Sequence, residues 1–210
     1  MTDRRAHWDQ TYLVKNETEV SWFQKSTARS LAMIKSAAPT KAASVIDIGG
    51  GASRLVDELL AEGYSDLTVL DVSEVALSRS KARLGGRADD VSWIVADITQ
   101  WKPQRTWNVW HDRAVFHFLT DTAAQDAYIE ALKLGTAPGA AVIMATFALT
   151  GPERCSGLPV QRYSPSILAA RLGTDFELYD EAVEKHQTPF GTTQDFMYAG
   201  FRRRRRLERD

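Results

Sequence analysis

The residues of this chain whose types and spacing point to chemistry gather in two places. The first is Asp47-Ile48-Gly49-Gly50-Gly51-Ala52-Ser53, where an acid stands just before three consecutive glycines. Bare backbone N–H groups in such a turn, with the start of a helix behind them, form a cradle for the polar groups of a ligand. Glycine tolerates positive φ there and lets the ligand approach with no side chain in the way. Twenty residues beyond Gly51 stands Asp71, followed by Val72. An acid at that distance, at the tip of the next strand, accepts hydroxyls from a nucleotide ribose. The second place is His111-Asp112-Arg113-Ala114-Val115-Phe116-His117-Phe118, the densest polar cluster in the chain. His117 is a candidate base, since an ordinary histidine pKa of about 6.5 suits proton removal near neutrality. Its competing reading is a histidine packed among Phe116, Phe118 and Leu119. Arg113 suits the clamping of a carboxylate, or it pairs with Asp112 or Asp47 and braces the loop.

The elements that must position these residues alternate between strand and helix. Ser44–Ile48 reads as a buried strand through its β-branched Val45, Ile46 and Ile48, and Ser53–Glu62 as its helix. Leu67–Leu70 is a second strand, followed by a helix capped at Ser73 or Glu74 and closed near Gly85-Gly86. Val91–Val95, Trp107–Trp110 and Ala140–Phe147 follow as strands three to five, the last after a turn at Pro138-Gly139. Phe176–Lys185 and Thr193–Arg202, joined by Thr188-Pro189-Phe190-Gly191, read as an antiparallel hairpin. This predicts an α/β fold, a doubly wound, seven-stranded, mostly parallel sheet with an antiparallel C-terminal hairpin. Asp121 and Thr122 read as helix capping, with Thr122-x-x-Gln125 as a capping box ahead of Tyr128, Ile129 and Leu132. Ligands of such sheets bind beyond the carboxyl ends of the strands. That places the second cluster in a loop facing the first.

Arg54 stands where a dinucleotide-binding G-x-G-x-x-G would need its third glycine. The pattern Asp47-x-Gly49-x-Gly51-x-Ser53, with Asp71 as ribose acid and Ala96-Asp97-Ile98 after the third strand, resembles the class I S-adenosylmethionine-dependent methyltransferases. The resemblance spans about Asp47 to Phe147. It implies S-adenosyl-L-methionine as cofactor, with Gly49, Gly50, Gly51, Asp71 and Val72 at its methionine and ribose half and Asp97 with Ile98 at the adenine. It also places the 111–118 segment, Asp112 and Arg113 included, between methyl group and acceptor, and His111 beside the cofactor. Asp112-Arg113 is similar to an element of thiopurine-type methyltransferases, and to a loop of certain protein-lysine methyltransferases with arginine in place of lysine. The acceptor is therefore a small molecule or a lysine on a partner protein; a non-catalytic binding protein for the same cofactor is the third reading. Trp8, Tyr12 and Trp22 are candidates for facing the sulfonium, since aromatic faces attract cations by about 0.5–2 kcal/mol each.

Composition bounds the rest. At 210 residues the chain makes one domain with a full core, read as a helical lid over 1–40, the methyltransferase domain over 41–202 and a basic tail over 203–210. A net charge of −1 offers no overall field for nucleic acid or an anionic membrane. The single cysteine, Cys155, excludes an internal disulfide and suits a reducing compartment, and with no apolar leader or spanning run the expectation is a cytoplasmic protein. The histidines and one cysteine show no metal-ligand spacing, so no metal is expected. The segment 148–163, with two prolines and two glycines, reads as a specificity loop carrying Arg154, Arg162 and Tyr163. The Arg202–Arg206 run reads as a solvated tail.

Overall fold

A run of β-branched residues without a polar face needs cover on both sides, and Ser44–Ile48 is buried at all five positions. The computed structural model describes residues 4–205. The chain runs α1 (Arg4–Val14), α2 (Ala28–Ala37), β1 (Ser44–Ile48), α3 (Leu55–Ala61), β2 (Asp66–Asp71), α4 (Glu74–Leu84), β3 (Val91–Val95), β4 (Trp107–Arg113), α5 (Thr122–Gly135), β5 (Thr136–Phe147), β6 (Arg154–Cys155), β7 (Leu158–Pro159), α6 (Pro165–Leu172), β8 (Phe176–Gln187) and β9 (Thr193–Arg203). The main sheet has the order β3-β2-β1-β4-β5-β9-β8. Its first five strands are parallel, and β9 runs antiparallel to both β5 and β8. The predicted seven-stranded sheet with its terminal hairpin is what forms, with a separate two-stranded β6–β7 hairpin added in the 148–163 segment.

Side chains alternate across the pleat. Val45, Val109 and Ile143 face the layer of α2, α3 and α4, with Met33, Leu59 and Leu77 packed against them. Ile46, Trp110 and Val142 face the layer of α5 and α6, with Tyr128, Leu132 and Leu168. Within the segment read as a lid, α2 therefore belongs to the core, through Met33 and Ile34. Helix α1, three turns over Arg4–Val14, is the other helix of that segment. The strand order reverses between β1 and β4, which opens a crevice beyond their carboxyl ends.

Strand β4 departs most from expectation. It continues three residues past Trp110 through His111, Asp112 and Arg113, which pair with Asp47 and Ile48 on one side and Ile143, Met144 and Ala145 on the other. Polar side chains hide this extension, because tertiary hydrogen bonds rather than β propensity hold it. Smaller corrections follow the same logic. Pro138-Gly139 lies within β5. Asp121 rather than Thr122 caps α5, accepting from Ala124 N–H, and Gln125 is drawn away to Leu119 O and Tyr163 Oη. Ser73 and Gly85 cap α4 as expected. Helix α3 is shorter than predicted, starting at Leu55. Of the basic run, Arg202 and Arg203 end β9 and Arg204 lies 3.7 Å from Glu177, while Arg206 onward lies outside the described residues. Among those residues no helix is long and apolar enough to cross a membrane.

Tyr128 ties the two central layers together: it accepts from Trp110 Nε1–H at 3.0 Å and donates to Asp112 Oδ2 at 2.6 Å, all inside the core. Tyr128→Phe leaves an indole N–H and a carboxylate oxygen without that partner. An orphaned buried polar group costs about 1–3 kcal/mol, so urea unfolding should show a loss of at least that size.

Candidate active site

The turn after β1 is shaped by contacts that exclude side chains. Gly49 has φ of +68°, and a Cβ there would lie 2.0 Å from Val115 Cγ2. Its N–H donates to Leu70 O at 2.6 Å, locking the β1 and β2 ends together. Gly51, at φ +37°, would bring a Cβ within 2.8 Å of Asp71 Oδ2. The glycine backbone thus lies directly against the acid. With α3 only seven residues long and starting four residues past Gly51, the cradle is made by loop backbone and not by a helix end.

Asp71 closes β2 and is buried. Its Oδ1 accepts from Ser73 N–H at 2.8 Å. Burial pushes its pKa up to about 7, against the backbone N–H groups of Ser73 and Val72, with the charges of Asp47 and Asp9 adding to the rise. A carboxylate held this far from water favours a ligand that brings hydroxyl donors. Asp97 follows β3, where its Oδ1 accepts from Thr99 N–H and Oγ1 and its Oδ2 from Arg4.

Helix α1 and the loop behind it close the top. Trp8 packs edge-on against Trp22 and Phe118, and Trp22 Nε1–H donates to Tyr12 Oη at 3.2 Å. The helix is held down by Arg4 on Asp97, by Ser73 Oγ–H donating to Asp9 at 2.7 Å, and by Arg79 donating to the carbonyls of Tyr12 and Lys15. Beneath it lies a cleft at the carboxyl ends of β1, β2 and β4. Of the residues singled out in the sequence, Trp8, Tyr12, Trp22, Gly49, Asp71, Val72, Asp97, Ile98 and Arg113 line it. Asp47, Gly50 and His111 line a smaller adjoining pocket on the glycine side, which Tyr12, Trp22, Gly49 and Arg113 share.

The second cluster is split by the extension of β4. His111 donates from Nδ1 to Asp47 Oδ1 at 2.7 Å and meets Ser30 Oγ at 2.9 Å through Nε2, with all three residues buried. Both ring nitrogens are thus engaged by protein. Asp112 points the other way, into the core, where its carboxylate receives Tyr128 Oη–H and the N–H groups of Val115 and Phe116. Burial raises its pKa to about 6 despite these donors. It braces the 114–118 turn, in which Ala114 has φ of +70°, and it does not face the cleft. His117 is buried between Phe118 and Phe147. Its Nδ1 accepts from Phe147 N–H at 3.3 Å, and its Nε2 has no partner. Burial, then the charge of Arg113, lowers its pKa to about 3. His117 is thus packed between two phenylalanines, as one of its two sequence readings expects, and it does not line the cleft.

Arg113 alone of the three candidates for chemistry reaches the cleft. It pairs with neither Asp112 nor Asp47. Its Nε–H donates to Tyr198 Oη and Nη1–H to Trp22 O, both at 3.2 Å.

Four lining residues escaped the sequence reading: Arg4, Phe118 as a wall, Cys155 and Phe196. Cys155 is buried, and burial pushes its thiol up to about 11. It arrives on β6, while Phe196 arrives on β9, and neither stands near a glycine or acid motif that would mark it. Within the predicted specificity loop, Tyr163 is buried in the core and Arg162 pairs with Glu153. Among the described residues no three His, Cys, Asp or Glu side chains come together to hold a metal.

Comparison with known proteins agrees with this geometry. Residues 45–139 match the family described as a methyltransferase domain. A mouse eEF1A lysine and N-terminal methyltransferase is 29% identical over 117 residues, which is 55% of this chain but 16% of that protein. The chain thus spans about a sixth of that relative's length. The N-methyltransferase NodS from Bradyrhizobium japonicum, solved with S-adenosyl-L-homocysteine, superposes with a TM-score of 0.70 at 18% identity, covering 93% of this chain and 97% of that one. The 1,6-didemethyltoxoflavin-N1-methyltransferase of Burkholderia thailandensis, solved with its namesake ligand and S-adenosylhomocysteine, gives 0.73 at 16% identity, covering 95% and 88%. The glycine turn and the buried acid beyond it stand at the ends of β1 and β2, with Gly49 and Asp71 lining the cleft. Residues 45–139 thus match a methyltransferase domain, and the chain shares its fold with structures of methyltransferases solved with S-adenosylhomocysteine.

Proposed function

We propose that the chain methylates a small-molecule acceptor held under α1. The observation that carries this is the covered cleft: α1 lies across it, fastened to α4 and to the loops after β2 and β3, with Trp8 and Trp22 as its ceiling. A small molecule can be enclosed beneath such a cover, whereas a lysine on a folded protein needs an open rim. The likeness to the mouse protein methyltransferase favours the second reading, a protein acceptor.

S-adenosylmethionine supplies an electrophilic methyl group on a sulfonium. In our reading the backbone of Gly49, Gly50 and Gly51 receives the methionine and ribose half. Asp71 accepts the ribose hydroxyls and Val72 packs beside them. Asp97 and Ile98 read the adenine. Trp8, Tyr12 and Trp22 turn aromatic faces toward positive charge and exclude water, which is most of what an in-line displacement asks of its enzyme. Asp47 and His111 stiffen the floor beneath the glycines. Residues 4–14 act as the lid of the domain that follows.

Calorimetric titration with S-adenosylhomocysteine and NAD tests the cofactor assignment, with binding expected for the first alone. Asp71→Asn should weaken S-adenosylhomocysteine at least about tenfold at pH 8, through the lost charged hydrogen bonds. The pH dependence follows from the raised pKa of Asp71. Below about 7 the free protein carries a protonated Asp71 that must lose its proton to accept both hydroxyls, so wild-type affinity should rise about tenfold from pH 6 to pH 8. In Asp71→Asn that slope should vanish; an unchanged slope would place the titrating group elsewhere. His117→Gln should lower the unfolding midpoint yet leave turnover and its pH profile intact. Transfer of labelled methyl into the dialysable fraction of a cell extract, rather than into its proteins, decides the acceptor class.

A further inference from the structure

Resting on the methyltransferase reading of the cleft, we infer that Arg113 is the docking point for an anionic group, a carboxylate, on the methyl acceptor. The guanidinium is a charge without a counter-charge. Its hydrogen bonds go to a phenol and a backbone carbonyl, and its Cζ lies 4.2 Å from the ring centre of Phe196. Its Nη2 is buried and has no partner. Among the described residues no carboxylate lies within ion-pairing distance of it, since Asp112 is held by Tyr128 and the following turn and Asp47 by His111. The other titratable groups that feel its charge are His117, His186 and Cys155. None of these supplies a negative charge as the protein stands.

A buried charge is ordinarily paired or hydrogen-bonded on every donor. Here one arm of a planar fork suited to carboxylates is left open at the wall of a cavity. Its position separates it from the cofactor acids. Asp71 and Asp97 stand at the ends of β2 and β3, on one side of β1. Arg113 stands with Phe196 and Cys155 on the β4–β5–β9 side. Arg113 also reaches the adjoining glycine-side pocket, whose other arginine, Arg54, is already paired with Glu17 at 2.6 Å. The same charge works against a cationic acceptor: an ammonium group entering a low-dielectric cleft meets a like charge on its wall.

The test measures binding in the presence of saturating S-adenosylhomocysteine. Benzoate, phenylacetate and 3-phenylpropionate are titrated against their own amides, into wild type, Arg113→Gln and Arg113→Lys. The expected result is a preference of about tenfold or more for at least one acid over its amide. That preference should collapse in Arg113→Gln and partly return in Arg113→Lys, with S-adenosylhomocysteine affinity the same in all three. The wild-type acid-to-amide ratio stands even if Arg113→Gln fails to fold. Acids and amides binding alike, or none binding, overturns the inference, as does a preference that survives in Arg113→Gln. A third overturning result is Arg113→Gln weakening S-adenosylhomocysteine while leaving 5′-methylthioadenosine untouched, which would assign the open arm to the cofactor's own carboxylate. Failure of S-adenosylhomocysteine to bind wild type would instead defeat the methyltransferase reading itself.

Discussion

Carboxylates buried along the carboxyl edge of the parallel sheet set the terms for everything around them. Asp47, Asp71 and Asp112 end or nearly end β1, β2 and β4, and each is largely removed from water. A buried carboxylate is costly until donors surround it. Asp47 is met by the imidazole of His111. Asp112 is met by a tyrosine hydroxyl and two backbone N–H groups. These two are satisfied within the protein and thereby fix the geometry of the crevice, since the first pins β1 to β4 and the second pins β4 to the turn that covers it. Asp71 is held by backbone N–H groups of its own turn and keeps a raised pKa. Three acids of one type thus have different roles, decided by who donates to them.

The same edge explains why glycine is required twice. The β1 turn must pass between Val115, which belongs to the turn braced by Asp112, and Asp71. A side chain at Gly49 would collide with the first and one at Gly51 with the second. Backbone is the only surface thin enough to stay in contact with both walls. The lid is then placed by electrostatics of opposite sign. Arg4 reaches down to Asp97 and Arg5 to Glu74. These pairs are partly exposed and individually weak, and such a cover suits a site that must exchange a bulky cofactor.

What the sequence revealed follows from which interactions are local. The glycine turn, the acids at two strand tips and the helix caps at Ser73 and Gly85 are short-range signals, and they were legible. The end of β4 was not, because His111, Asp112 and Arg113 sit in a strand for reasons supplied by Ser30, Tyr128 and Tyr198, each distant in sequence. The same distance misdirects the chemistry. A histidine and an aspartate beside an arginine look catalytic in one dimension, yet the pleat sends Asp112 into the core and the turn buries His117. The walls contributed by Cys155 and Phe196 belong to the second half of the chain, where no motif marks them.

Removing Asp112 and His117 from the cleft changes what the acceptor must bring. Among the described residues, the ionisable side chains that line the cleft are Arg4, Tyr12, Asp71, Asp97, Arg113 and Cys155. Two are arginines, the Tyr12 hydroxyl is pushed up by burial, and the Cys155 thiol is raised to about 11, so neither takes a proton at neutral pH. The two acids stand on the β2–β3 side, away from the wall that carries Arg113. A nucleophile entering there must already hold a free lone pair. An ordinary lysine, with a pKa of about 10.4, is neutral in only about one molecule in 2,500 at pH 7, and the arginine opposes entry of the ammonium form that makes up the rest. An acceptor whose nucleophile is unprotonated at neutral pH escapes this penalty, and one that also carries negative charge is drawn toward Arg113. Among the described residues, the turn of Asp112 away from the cleft and the placing of the open arm of Arg113 on its wall are thus two consequences of one arrangement, the continuation of β4 past Trp110.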